Sequence, residues 1–361
     1  MPSSTATPRA AGVEPREDFL RVHFGGTPGH ADFHYFWLRH NCDCCRHPVT
    51  RERIICSSDV PLDIKPQSVT YDGASSLVRI VWPQDGGTHA SEYPMAWLVE
   101  HAYAAARPDV APPSGDVSLL EIDRRTLPAS ARLSEICLEH LGARGAVVVR
   151  NAGLDTEALI DEFAASRLRV VETHFGRIED LRTDNTTNKN TDQLGYTDAP
   201  VDLHTDQPFI EAPPHYQMLH CMREADSGGE SYLADALQAA AYLAAVDAHT
   251  YELLTTVPVR FHRLQKQFES LKVAPVIELR DGRFFRVRSS YFTMAPHRVP
   301  FAQMESWYRA YNRFAHLVGS RQHQYRFALH AGDFLMYDNY RMLHARTSFV
   351  GARWVRGVYF N

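Results

Sequence analysis

Residues 203–209 read Leu-His-Thr-Asp-Gln-Pro-Phe, and this stretch places His204 and Asp206 two positions apart. On a strand, residues i and i+2 point to the same face, so this imidazole and this carboxylate could reach one metal ion. A second imidazole from a distant strand would complete a set of two histidines and one carboxylate. That facial set leaves coordination positions open and suits non-haem Fe(II). His344, in the apolar and aromatic run Met342-Leu343-His344-Ala345-Arg346-Thr347, is the candidate third ligand. A lone His-x-Asp is equally what a satisfied structural histidine produces, so the surroundings have to carry the argument.

The surroundings do so. Arg353 follows His344 in Arg-Trp-Val-Arg-Gly-Val-Tyr-Phe, residues 353–360. An iron with open positions can bind a 2-oxo acid through its keto and carboxylate oxygens. The distal carboxylate of 2-oxoglutarate then calls for a bidentate cation, which arginine supplies better than lysine. Arg356 lies three residues further on, an odd step that turns it to the opposite strand face.

Outward from this centre, the chain reads as many strands with a few helices. Ala146–Arg150 is an apolar strand, and Asp155 is placed to cap a helix over the segment that follows. Residues 183–201 are polar and aperiodic, a loop long enough to be functional or disordered. His215–Met222 and Glu230–Asp235 read as strands, and 236–254 as one helix. Asp281-Gly282 closes a hairpin between residues 274–279 and 283–288. The expected fold is mainly β with flanking helices, a jelly roll. Residues 1–17 read as a disordered tail and 18–104 as a small β domain with strands at Phe33–His40 and Arg53–Ser57. Residues 105–118, rich in proline, read as a linker, and 119–361 as the catalytic domain.

The small domain holds Cys42, Cys44 and Cys45 in Asn-Cys-Asp-Cys-Cys-Arg-His, with His89 further on. Three thiolates and one imidazole make a closed tetrahedral zinc site, structural rather than catalytic. His47 and Cys56 are alternative donors, and buried free thiols are the plain alternative.

Composition excludes several classes. Of 361 residues 44% are hydrophobic, enough for a sizeable core, so wholesale disorder is out. The net charge of -5 argues against non-specific nucleic-acid binding. No run approaches the roughly 18 apolar residues of a membrane helix. The first residues lack the apolar core of a secretory signal, and a cytoplasmic protein is expected.

The segments His204–Phe209, Pro213–Cys221, Gly228–Ala236, Ala331–Thr347 and Arg353–Tyr359 together resemble the γ-butyrobetaine hydroxylase branch of the taurine-dioxygenase-like Fe(II)/2-oxoglutarate oxygenases. The resemblance covers about 240 residues. It implies a double-stranded β-helix with Fe(II) held by His204, Asp206 and His344, and 2-oxoglutarate gripped by Arg353 with help from Ser231. It extends to the small domain, where the family's C-x-C-x-x-C is shortened to C-x-C-C. Cys45 then takes the third zinc position. It also implies a homodimer.

Family substrates are small trimethylammonium zwitterions, which an aromatic cage suits because a quaternary nitrogen donates no hydrogen bond. The resemblance assigns Tyr196, Tyr359 and Phe175 to that cage, with Glu179 where the family has a tryptophan. Arg288 falls on a family asparagine at the anion end. An arginine there suggests a more highly charged anion than a carboxylate, which makes 2-(trimethylammonio)ethylphosphonate the preferred substrate and γ-butyrobetaine the alternative, while the plain reading of Arg288 is an exposed arginine paired with Glu278 or Asp281. Small-molecule substrate, 2-oxoglutarate and O2 are the expected partners. The other readings are a small-molecule sensor on the same fold, and a protein-interaction role for the small domain.

Overall fold

In the computed structural model, which describes residues 11–26, 29–84, 86–103, 112–166, 168–182 and 194–361, the run Ala146–Arg150 is buried on both faces. Such a strand must be covered twice. On one side lie the helices Leu133–Arg144 and Thr156–Ala165, and Val147 and Val149 pack with Cys137, Leu159 and Phe163. On the other side Val148 joins Leu233, Tyr325, Leu335 and Met342. Asp155 caps its helix as expected, accepting from the Ala158 amide at 3.0 Å.

Two sheets result. One has six strands in the order Glu121–Asp123, Ala146–Arg150, Phe334–Asp338, Tyr216–Arg223, Trp354–Phe360 and Glu179–Arg182. The other has four, in the order Val201–His204, Met342–Arg346, Ser231–Asp235 and Gln324–Phe327. The crossing strand order is that of a double-stranded β-helix, mostly antiparallel. The helices Ala236–Val246, Ala248–Thr256 and Phe301–Gly319 build a third core around Trp307, Phe261 and Leu254.

The single helix expected over 236–254 is two helices. Asp247 ends the first and caps the second, accepting from the Thr250 amide at 3.1 Å. The Asp281-Gly282 turn forms as expected, with φ of 52° and 71° at its two residues.

The chain divides into two compact units, Met1–Asp109 and Val110–Asn361. The described residues of the first hold two three-stranded antiparallel sheets. Alternation along Leu77–Gln84 buries Val78, Ile80 and Trp82 with Leu20, Phe33 and Tyr93. A buried ion pair joins Arg21 to Asp32 at 2.9 Å. Three expectations are corrected here. Gly12–Pro15, assigned to a disordered tail, is an edge strand paired with Phe19–His23, because Val13 packs on this core. Tyr35–His40, read as strand, is helix, and the step of three between Tyr35 and Leu38 puts both on its buried side. Arg53–Ser57 forms no strand beyond a single bridge at Arg53, and Ile54 is exposed.

Residues 1–10, 105–111 and 183–193 of the expected tail, linker and polar loop lie outside the described residues. Residues 112–118, also assigned to the linker, pack on the second unit. Pro113 is buried, and a side chain at Gly115 would collide with the Gln324 backbone. Among the described residues no helix is long and apolar enough to cross a membrane.

Phe163 is fully buried, with its ring 6.0 Å from that of Phe334 and 5.8 Å from that of Phe360. Phe163→Ala should lower the unfolding free energy of the catalytic unit by about 3–5 kcal/mol, read from denaturant melts.

Candidate active site

His204 ends the strand Val201–His204, and His344 lies directly opposite it on Met342–Arg346. Directly opposed residues are close enough for their side chains to interact, and the two ring centroids are 4.0 Å apart. The strand stops at His204, so Asp206 does not reach the site by strand alternation. The Asn339 side chain brackets its backbone, accepting from the Asp206 amide at 2.8 Å and donating to its carbonyl at 3.0 Å. Gln207 then takes a left-handed φ of 53°. This turn aims the Asp206 carboxylate back at the imidazoles. Its Oδ1 lies 3.4 Å from His204 Nε2 and 3.7 Å from His344 Nε2.

The donor set fits a divalent cation. One donor atom from each of the three residues lies within 4.8 Å of the other two. His204 Nδ1 is 2.8 Å from the Asp202 carbonyl, an arrangement that directs the Nε2 lone pair at the centre. Burial, reinforced by the neighbouring His204, pushes the His344 pKa down to about 3. Burial would raise that of Asp206, but His344, His204 and the Tyr359 hydroxyl outweigh it and hold the carboxyl well below the usual range. A carboxylate beside a neutral imidazole is the state that metal binding requires.

Arg353 and Ser231 line the same cavity as the three candidate ligands. Gly228 and Gly229, with φ of 74° and 71°, bring the chain past Ser348 and Phe349 to reach Ser231. A side chain at Gly228 would collide with the Ser348 carbonyl. The sequence reading missed Arg346, which pairs in register with Ser231, lines the cavity, and has a buried Nε without a hydrogen-bond partner among the described residues. The signal was present, because Arg346 is two residues after His344 and shares its strand face. Gln207, Arg263, Phe209 and Phe292 also line the cavity, and no pattern in the sequence marks them.

The expected aromatic cage is only partly assembled. Phe175 and Tyr359 line the cavity. Tyr196 is buried, and its hydroxyl donates to Glu179 Oε1 at 3.0 Å. The Tyr359 hydroxyl donates to Asp206 Oδ2 at 2.7 Å and lies 3.4 Å from Glu179 Oε2. It therefore orients a candidate metal ligand as well as forming wall.

The role expected of Arg288 is overturned. Arg288 is fully buried and its guanidinium is used up inside the protein. It donates to the carbonyls of Pro208 and Ile210, each at 2.7 Å, to that of Glu211 at 2.8 Å, and to the Glu278 carboxylate. It clamps the segment that follows Asp206 and has no face toward the cavity.

In the N-terminal unit, Cys42, Cys44, Cys45 and His89 converge within 4.8 Å. His89 Nε2 is 3.3, 3.4 and 3.7 Å from the three sulfurs in that order. His47 and Cys56 stay out of the cluster. His47 Nδ1 accepts from the Thr50 amide at 3.2 Å, and Cys56 is exposed. Burial, then the Cys42 thiol, raises the Cys44 thiol to about 12. Only a bound cation would keep such a group as thiolate at neutral pH.

A double-stranded β-helix with this facial donor set and a buried arginine beside it defines an Fe(II)/2-oxoglutarate-dependent dioxygenase. The chain belongs to the taurine catabolism dioxygenase TauD, TfdA family, whose sequence model matches residues 112–359. Residues 13–99 match the family described as gamma-butyrobetaine hydroxylase-like, N-terminal. Gamma-butyrobetaine dioxygenase of Pseudomonas sp. (strain AK-1) is 34% identical over 345 residues, covering 91% of this chain and 87% of that protein. Trimethyllysine dioxygenase of Meyerozyma guilliermondii is 27% identical, covering 92% and 88%. Among solved structures, a putative alpha-ketoglutarate-dependent taurine dioxygenase from Burkholderia xenovorans shares the fold with a TM-score of 0.51. It has 16% identity, over 70% of this chain and 91% of that one. The enzyme uses Fe(II), 2-oxoglutarate and O2, and the sensor reading is set aside.

Tyr359→Phe removes the donor to Asp206 Oδ2 without changing ring volume. It should weaken Fe(II) binding or activity by about 10–100-fold, measured by Fe(II) titration and succinate release.

Proposed function

We propose that His204, Asp206 and His344 hold the Fe(II), that Arg353 with Ser231 binds the distal carboxylate of 2-oxoglutarate, and that the enzyme hydroxylates a small compound carrying a cationic nitrogen and an anionic end. γ-Butyrobetaine and trimethyllysine represent the substrate class. The observation that carries this reading is the lining of the cavity. It holds the carboxylate of Glu179 and the rings of Phe175, Phe209, Phe292 and Tyr359, and also the guanidinium of Arg263. A zwitterion matches such a lining, and the kinship with a gamma-butyrobetaine dioxygenase supports it. The phosphonate preference rested on Arg288 and falls with it, so a carboxylate is the proposed anion.

Iron bound at this site supplies O2 activation coupled to decarboxylation of 2-oxoglutarate to succinate and CO2. The protein positions the reactants and excludes side reactions. Arg353 makes charge-assisted bonds to the distal carboxylate in a buried setting, where they are stronger than in water. The aromatic wall keeps water from the C–H bond that is to react. We also propose that Cys42, Cys44, Cys45 and His89 bind one structural Zn(II), that the protein is cytoplasmic, and that it works as a homodimer, the last as its family resemblance implies.

His204→Ala should abolish substrate-dependent succinate formation and Fe(II) binding, and full turnover of the variant would refute the iron assignment. Elemental analysis should find about one zinc per chain that survives chelation strong enough to remove iron, because a closed cysteine-rich site is structural. Absence of zinc would mean that the shortened cysteine spacing does not hold the metal.

A further inference from the structure

The residues just before the strand Val201–His204 form part of the cavity wall without belonging to a sheet. Leu194–Tyr196 is a single tight turn, and Leu194, Gly195 and Val201 line the cavity. Tyr196, in the same turn, donates to Glu179. A wall that lacks strand partners must find other donors for its carbonyls. Three successive carbonyls find them. The Phe349 amide donates to that of Asp198 at 3.2 Å. The carbonyls on either side, of Thr197 and Ala199, both accept from one nitrogen of Arg346, the first at 2.9 Å.

Arg346 is held firmly enough for that task. It ends the strand Met342–Arg346, two residues after His344 and on the same face. In register it lies opposite Val201 on one side and Ser231 on the other. The side chain is buried, and its guanidinium lies over the Phe349 ring, 4.6 Å from the centroid. It lines the same cavity as Arg353. Resting on the reading that Arg353 grips the distal carboxylate of 2-oxoglutarate, we propose that Arg346 is a positioning residue for the substrate. It fixes the wall from Leu194 to Ala199 against the strand that carries His344, and so sets where the substrate lies relative to the iron site.

The physical reason is how the guanidinium is used. Its terminal NH2 group carries two hydrogens, and two carbonyls of the wall take them. Each bond is charge-assisted, about twice as strong as a neutral one. Removing the guanidinium leaves both carbonyls without that donor, and the turn shifts to satisfy them. A misplacement of about 1 Å in a group that positions substrate can cost on the order of 100-fold. Tyr196 carries such a shift on to Glu179, and the Tyr359 hydroxyl lies between Glu179 and Asp206. The rival assignment makes Arg346 a second grip on 2-oxoglutarate through Nε, which is buried without a hydrogen-bond partner among the described residues. The two assignments differ in which KM moves.

The test uses Arg346→Met, with whichever of γ-butyrobetaine and trimethyllysine the native enzyme hydroxylates. The KM for that substrate should rise by about tenfold or more, and the KM for 2-oxoglutarate by less than about threefold. Arg346→Lys keeps the charge and the donors but loses the planar fork, and should show the same split to a smaller degree, which serves if Arg346→Met fails to fold. Hydrogen exchange, followed by mass spectrometry, reads the wall without substrate. The Thr197 amide, bonded to the Leu194 carbonyl at 3.0 Å, should exchange at least about fivefold faster in either variant, with Ser231–Asp235 unchanged. A merely structural role would speed exchange in both segments. A KM for 2-oxoglutarate that rises as much as that for substrate, or unchanged exchange at Thr197, overturns the assignment. Arg353→Met tests the reading beneath it: if the KM for 2-oxoglutarate stays unchanged there, that reading fails, while the split in Arg346→Met still decides the wall.

Discussion

The active centre depends on one cross-strand pair. His204 and His344 are opposite each other in the four-stranded sheet, and a one-residue slip between their strands would send one imidazole to the other face. That register is secured by both faces of the sheet. Leu343 packs into the helical core on one side, and Met342 and Leu233 into the inter-sheet core on the other. The hydrophobic effect thus fixes the position of two polar side chains that would not otherwise meet. Asp206 needs a different device. Its turn is held by the Asn339 amide and by Arg288, which gathers the carbonyls of the next residues. The arginine expected to recognise substrate instead anchors the segment that carries a candidate ligand.

Burial also sets the electrostatics of the site. Tyr337 and Tyr359 have pKa values raised well above the ordinary phenol, first by burial and then by the Asp206 charge. They remain neutral donors at any working pH. Arg346 is pushed down to about 10, first by burial and then by the nearby Arg353. An anion bound near both guanidiniums would relieve that repulsion.

The two candidate metal centres solve different problems. In the catalytic unit a large core holds three donors in place and leaves one side open. The N-terminal unit has a smaller core around Trp82 and Tyr93, and its four donors close completely. A small domain gains folding free energy from such a closed site, whereas an open one serves chemistry.

The sequence alone determined the fold class, the three iron-ligand candidates, the arginine beside them and the four zinc-ligand candidates. Those features are legible from local pattern (alternation, a turn dipeptide, a histidine two residues from an aspartate) and from the resemblance of the segments around them to a known family. It did not determine where Asp206, Arg288, Tyr196 or Glu179 point. Arg288 looks identical whether its guanidinium meets a substrate or three backbone carbonyls, since a sequence does not show which carbonyls lack donors. Glu179 read as a lost tryptophan, and only pairing with Trp354–Phe360 placed its carboxylate on the cavity wall beside two phenols. Even His-x-Asp reached its site by a turn rather than by the strand alternation that first suggested it. Side-chain direction is decided by long-range register and burial, and these exist only once the sheets have packed.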